Sequence, residues 1–214
     1  INPNSSDAYC DRGHAKRQLN DLDGAFDDYT KVIEINPDSN AYNNRGVIKY
    51  KSDDYQGAID DYSKAIAINP KSETIYINRG DAKEKMKDLN GAIEDYSKAI
   101  EINPKFELAY EYRGSTKNKL KDHKGAISDY NKVLEINPNS SDAYCDRGSS
   151  KMQLEEIFGA IKDYSKAIRI NPNESDSYVN LCSFYNNLKN IYEAEKMIEK
   201  AIDINPKCSL AYFN

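Results

Sequence analysis

The feature that most limits what this chain can fold into is a ladder of prolines. All seven fall in Asn-Pro steps, Pro3, Pro37, Pro70, Pro104, Pro138, Pro172 and Pro206, at intervals of 34, 33, 34, 34, 34 and 34 residues. Each step is preceded by Ile, as in Ile35-Asn36-Pro37. A fixed period of this length marks a repeat architecture, in which one unit cannot bury its apolar face alone and stacked neighbours complete each core. The single short interval lies between Pro37 and Pro70. Aligning Tyr42 with its counterparts places the missing residue in a turn around Ser39-Asn40, outside both helices.

Within each period two helices are expected. The first runs from Ala109-Tyr110 through Leu120 in one unit, and the second from about Lys124 to Ile136. Ala126, Tyr130, Val133 and Leu134 recur at i, i+4, i+7 and i+8, which is one helical face. Asp21, Asp54, Asp88 and Asp122 precede the second helices as candidate N-caps. Proline ends each second helix because the residue before it is pushed out of helical backbone geometry. The whole chain therefore reads as all-α.

Composition removes several classes. Of 214 residues, 39 % are hydrophobic and 30 % charged, and apolar residues return at regular intervals, unlike a disordered chain. No apolar run approaches the ~20 residues of a membrane span. A net charge of −5 argues against nucleic acid as partner. Cys10, Cys145, Cys182 and Cys208 form no CxxC and fit neither a zinc site nor a disulfide scaffold. The two histidines, His14 and His123, lie far apart, and HExxH, GxSxG, GxGxxG and GxxxxGK are absent. No enzyme, metal or cofactor is expected. Gly24, Gly57, Gly91, Gly125 and Gly159 open the second helices, where close helix packing is the expected reason.

The period, the aromatic-x3-Gly of the first helix and the Ala-x3-aromatic…Pro of the second are carried in the third unit by Tyr76, Gly80, Ala92, Tyr96 and Pro104. In these residues the chain resembles the tetratricopeptide repeat family. The resemblance implies a right-handed α-solenoid, a superhelix of helix-turn-helix units, with repeats at about 6–39, 40–72, 73–106, 107–140, 141–174 and 175–208 and partial repeats at 1–5 and 209–214. It also implies a concave face, lined by first helices, that binds a peptide or partner protein. Candidate groove residues are Cys10, His14, Arg17, Asn43, Val47, Tyr50, Ile77, Asp81, Glu84, Glu111, Asn118, Cys145, Met152, Val179 and Asn186. Family members that grip chaperone C-terminal carboxylates use a Lys/Asn clamp. The matching positions here hold Cys10, His14, Asn44, Thr74 and Asn78, so that clamp is not reproduced.

The chain departs from the family pattern in three columns. Before and after the first-helix glycine stand Arg12, Arg45, Arg79, Arg113, Arg147 and Lys16, Lys49, Lys83, Lys117, Lys151. Before the second-helix aromatic stand Asp28, Asp61, Asp95, Asp129 and Asp163. In the sixth repeat all three change together, to Leu181, Tyr185 and Met197. Co-variation within one chain points to structural ion pairs, each Asp with Arg, Lys or both.

Residues 1–13 and 136–148 are identical, and 204–214 repeat the same phase. Ala211 and Tyr212 then begin a first helix, and the face carrying Ile198, Ala201 and Ile202 is expected to be partly open. Three functions follow: a non-enzymatic interaction scaffold, an array stacking end to end into homo-oligomers or filaments, or the regulatory segment of a larger enzyme.

Overall fold

Most helices begin where the sequence supplies a capping side chain, and they end at an Asn-Pro step or a tight turn. A computed structural model describes residues 5–173 and 175–205. They form twelve helices: α1 (Ser6–Gln18), α2 (Leu22–Ile35), α3 (Ser39–Lys51), α4 (Tyr55–Ile68), α5 (Glu73–Lys85), α6 (Leu89–Ile102), α7 (Glu107–Lys119), α8 (His123–Ile136), α9 (Ser141–Gln153), α10 (Ile157–Ile170), α11 (Ser175–Asn187) and α12 (Ile191–Ile204). The partial repeats at 1–5 and 209–214, with Ala211, Tyr212 and Cys208, fall almost wholly outside the described residues.

The turn inside each pair is built by shared atoms. Asn20, Asp53, Lys87, Lys121, Glu155 and Lys189 adopt left-handed backbone, with φ between 56° and 65°. The next residue then donates its N–H to a carbonyl one turn back, as Asp88 to Lys83 at 2.9 Å, which closes the first helix. That same Asp88 caps α6, its carboxylate accepting the Gly91 N–H at 3.0 Å. Asp21, Asp54 and Asp122 repeat the arrangement at 2.9 Å.

The glycines of the second helices are explained by that cap. A Cβ on Gly24, Gly57, Gly91 or Gly125 would lie 2.1–2.3 Å from a capping carboxylate oxygen. The expectation of close helix packing is corrected: the missing side chain makes room for the cap. Only Gly159 differs, where Glu156 makes no side-chain cap and the neighbour is Lys151 Cδ at 3.2 Å.

Between repeats, the asparagine of Asn-Pro folds the chain back on itself. Asn69, Asn103, Asn137 and Asn171 accept N–H groups two residues on at 3.1–3.2 Å. After α2 this link is shortened to 36–38, while α3 keeps the full 13 residues, so the expected place of the missing residue is corrected: Ser39 and Asn40 open α3, and the residue is missing from the turn before them.

The chain divides into two compact units, residues 1–109 and 110–214. In the first, successive helices from α1 to α6 pack in order, and α3 also touches α5. In the second, α8 to α12 pack in order, and α9 touches α11. In each unit, first helices of successive repeats thus meet, α3 with α5 and α9 with α11. Each core is alanine and tyrosine: Ala58, Tyr62 and Ala65 with Ile75 and Ala82, or Cys145, Ala160, Tyr164 and Ala167 with Leu181. The buried second-helix tyrosines, Tyr29, Tyr62, Tyr96, Tyr130 and Tyr164, each lie over the first-helix glycine of their own repeat. A Cβ on Gly80 would stand 2.5 Å from Tyr96 Cε1, and one on Gly46 2.7 Å from Tyr62 Cε1. The fold is an all-α solenoid of stacked helix pairs.

Candidate functional site

Beneath the first-helix row lie the charge columns. Asp28, Asp61, Asp95, Asp129 and Asp163 are 1–3 % exposed. Each accepts a two-pronged bond from the arginine of its own repeat. For Arg45 and Asp61 the distances are 2.9 Å from Nε and 2.8 Å from Nη2. The lysine one turn on completes the triad, Lys49 Nζ lying 2.9 Å from Asp61 Oδ2 and Lys117 Nζ 2.8 Å from Asp129 Oδ2. The remaining guanidinium nitrogen reaches the preceding repeat: Arg45 to Thr30 at 3.2 Å, Arg79 to Ser63 at 3.1 Å and Arg147 to Asn131 at 2.6 Å. Arg12, Arg45, Arg79, Arg113 and Arg147 also lie over the tyrosine that opens their helix, 5.3–5.7 Å from the ring centre. Lys16 and Lys83 complete their triads at 3.1 and 2.8 Å, and Lys151 at 2.7 Å.

These contacts set the ionisation of the carboxylates. The hydrogen bond from Arg12 holds Asp28 below the ordinary carboxylate value, against burial. For Asp61 burial pushes upward, but bonds and charge from Arg45 and Lys49 together outweigh it and the net shift is down. In the sixth repeat Leu181 is buried and Tyr185 and Met197 pack against its cluster, an apolar replacement for the same volume.

The candidate groove residues separate into two sets. Ile77, Cys145 and Val179 are only 4–6 % exposed, so they belong to the packing under the face. Val47 and Met152 are half-buried against the Tyr62 and Tyr164 clusters. The polar members link neighbouring first helices. Arg17 donates to Asn44 Oδ1 at 3.3 Å, and Asn44 Nδ2 lies 3.1 Å from His14 Nε2. Asn78 donates to Asn43 at 2.9 Å, and Asn118 to Ser150 at 2.8 Å. Tyr50 stacks edge-on against Tyr55; burial first, then the Asp81 carboxylate, pushes its phenol up. Glu84 and Glu111 are half-buried, and Asn186 is exposed.

Two clefts open on this row. One is lined by Cys10, His14, Asn40, Asn43 and Asn44 with turn residues Asn36 and Asp38. The other is lined by Asn118, His123, Ser149, Ser150 and Gln153 with Lys119 and Lys121. Asn44, Asn78, Ser150 and Asn180 also take part in these links, outside the candidate groove residues, although Asn44 and Asn78 are two of the positions that match the family's carboxylate clamp. A signal existed for three of them: Asn44, Asn78 and Asn180 each stand two residues after the helix-opening tyrosine. Among the described residues no cluster of His, Cys, Asp or Glu is placed to hold a metal ion, and no helix is long and apolar enough to cross a membrane.

A tetratricopeptide repeat model matches residues 6–39, 39–72 and 74–106, and a second model of the same repeat matches 109–140, 141–174 and 175–208. Among solved structures, the MamA protein is 25 % identical with a TM-score of 0.73, covering 78 % of this chain and 92 % of its own. YrrB, described as a TPR protein with an unusual peptide-binding site, is 24 % identical with a TM-score of 0.69, covering 86 % and 95 %. PilF of Pseudomonas aeruginosa is 19 % identical with a TM-score of 0.79, covering 97 % and 94 %. No curated protein sequence matches the chain.

Proposed function

We propose, from the premise that this chain belongs to the tetratricopeptide repeat family, that it is a non-enzymatic scaffold holding an extended peptide or partner segment along its first-helix row. The family is one of protein-interaction scaffolds, and a solved member shows that this fold can carry a peptide-binding site. The observation that carries the reading here is the row of half-buried amide groups between successive first helices, Asn43 with Asn78, and Asn118, which donates to the buried Ser150 hydroxyl. Such groups exchange their mutual bonds for main-chain N–H and C=O groups at little net cost, because both states are satisfied. The array is read as one run of six repeats, 6–39 to 175–208, with partial units at 1–5 and 209–214.

The test is capture of a partner with the purified chain, followed by cross-linking and mass spectrometry. Cross-links on α1, α3, α5, α7, α9 and α11 support the reading. Cross-links confined to second helices, or a partner whose affinity survives Tyr50→Ala with Asn118→Ala, overturn it.

A further inference from the structure

Single apolar side chains at a surface are ordinary, and Leu19, Met86 and Leu120 stand so at the turns of three repeats. The last two repeats differ. As second residue, α2, α4, α6 and α8 carry Asp23, Gln56, Asn90 and Lys124, whereas α10 carries Phe158 and α12 carries Tyr192. Phe158 is 91 % exposed and Tyr192 73 %. Beside them Ile157, Leu188 and Ile191 are exposed as well. The residues that match the two isoleucines in the first four repeats, Leu22, Tyr55, Leu89 and His123, are half-buried.

The two turns share an edge. α9 and α10 pack as one pair, α11 and α12 as the next, and α9 touches α11. Pairs stacked in this way bring their turns to one side, so the five apolar side chains lie along one edge of the second unit. The fifth turn has also given up its cap. Glu156 stands where Asp21, Asp54, Asp88 and Asp122 accept a helix N–H, and it makes no such bond. A position that breaks the local rule its neighbours follow points to a role outside the helix pair.

The charge at the turns reverses from one repeat to the next. The fifth turn carries Glu155 and Glu156, and the sixth carries Lys189 beside the neutral Asn190. All three charged residues are exposed, and none enters an ion pair among the described residues. One helical turn further in, Lys162 follows Phe158 on α10, while Glu195 and Lys196 follow Tyr192 on α12, with Glu193 half-buried between.

We propose that this edge is a homodimer interface, on which a second copy of the chain lays the same strip across a two-fold axis. A two-fold sets the fifth turn of one copy against the sixth turn of the other, so it needs a patch that is complementary to itself. Glu155 and Glu156 then face the partner's Lys189, Lys162 faces the partner's Glu195, and Phe158 packs on the partner's Tyr192. A membrane surface would gain from the apolar strip, but its anionic headgroups would repel the two glutamates at the tip. The closed pair differs from stacking at the ends of the array, which adds copies without closing. It uses none of the polar links between first helices and stands independently of the peptide-binding reading.

The test is sedimentation of the whole chain over a wide range of concentration, where a monomer–dimer equilibrium is expected with no larger species. Phe158→Gln with Tyr192→Asn installs the residues that the second and third repeats carry at this position, so the helices are retained, and it should weaken the dimer by about tenfold or more. Glu155→Lys with Glu156→Lys should weaken it by about tenfold, and adding Lys189→Glu should restore most of the loss, a rescue that requires the two turns to meet across the interface. Melting temperatures of the variants separate lost association from lost folding. A zero-length carboxyl–amine cross-linker, applied to a mixture of light and isotope-labelled chains, should join Lys189 of one label to Glu155 or Glu156 of the other. The proposal is overturned if the chain stays monomeric throughout, if species larger than the dimer build up, or if Lys189→Glu brings no rescue. A monomer that floats with phosphatidylserine vesicles, and loses that on Phe158→Gln with Tyr192→Asn, would assign the strip to a membrane surface and overturn it too. Cross-links of a captured partner to the first helices decide the scaffold reading separately.

Discussion

Asp129 shows what a single side chain does here. Arg113 holds both its oxygens at 2.7–3.0 Å and Lys117 holds one at 2.8 Å, so the carboxylate is the common counter-ion of two cations brought within reach of each other. Asp129→Ala should destabilise the protein by about 2–4 kcal/mol, because the cations lose their shared partner in a half-buried setting. Replacing Arg113, Lys117 and Asp129 by Leu, Tyr and Met, the set the sixth repeat uses, should recover most of the loss in urea unfolding. Equal unfolding midpoints for the wild type and Asp129→Ala would show a solvated Asp. Asp61 adds a pH signature. Its folded pKa is depressed, so the stability it contributes is present above the unfolded value of about 3.9 and is lost as pH falls through the lower folded value. Asp61→Asn should therefore be less stable near neutrality and lose less than the wild type on acidification below about pH 4. Parallel melting curves for the two proteins across that range would contradict the assignment.

At the scale of one helix pair, the decisive contact is tyrosine over glycine. Gly80→Ala places a Cβ 2.5 Å from the Tyr96 ring, and neither helix can yield without moving its neighbours. A loss of about 1–3 kcal/mol is expected, the usual cost of overpacking. Gly91→Ala meets only the end of the Asp88 side chain, and its cost is bounded by the loss of one cap, about 1 kcal/mol. Denaturant midpoints of the two variants side by side test the difference, and a larger loss at Gly91 would reverse the roles given to the two glycine columns. Both columns were plain in the sequence. Their reasons were not equally plain, because a periodic glycine reveals that space is needed without revealing what occupies it. Packing was the expected reason for the column that serves the cap.

Within each of the two compact units, successive repeats touch one another, so stability is expected to spread from repeat to repeat rather than to act as one block. Hydrogen exchange should show this. Asp129→Ala should lower protection first in α7, α8 and α9, while α1 to α4 keep theirs. A uniform drop over all helices would instead mean one cooperative unit.

What the sequence determined by itself is everything carried by short-range chemistry. The Asn-Pro ladder, the capping aspartates and the apolar spacing set the number, length and ends of the helices, because caps and proline act within a few residues of themselves. The tertiary structure decided what depends on helices from neighbouring repeats. Periodicity gives a residue's angle on its own helix but not its exposure: Ile77 and Cys145 are core, clustered with the second helix of their own repeat and one residue of the next, and Val179 is buried as well. The polar links between first helices join residues 27–35 apart, such as Arg17 with Asn44 and Asn78 with Asn43. Those distances are set by how one repeat stacks on the next, and side chains of similar polarity at similar angles can meet or miss according to shifts of an ångström.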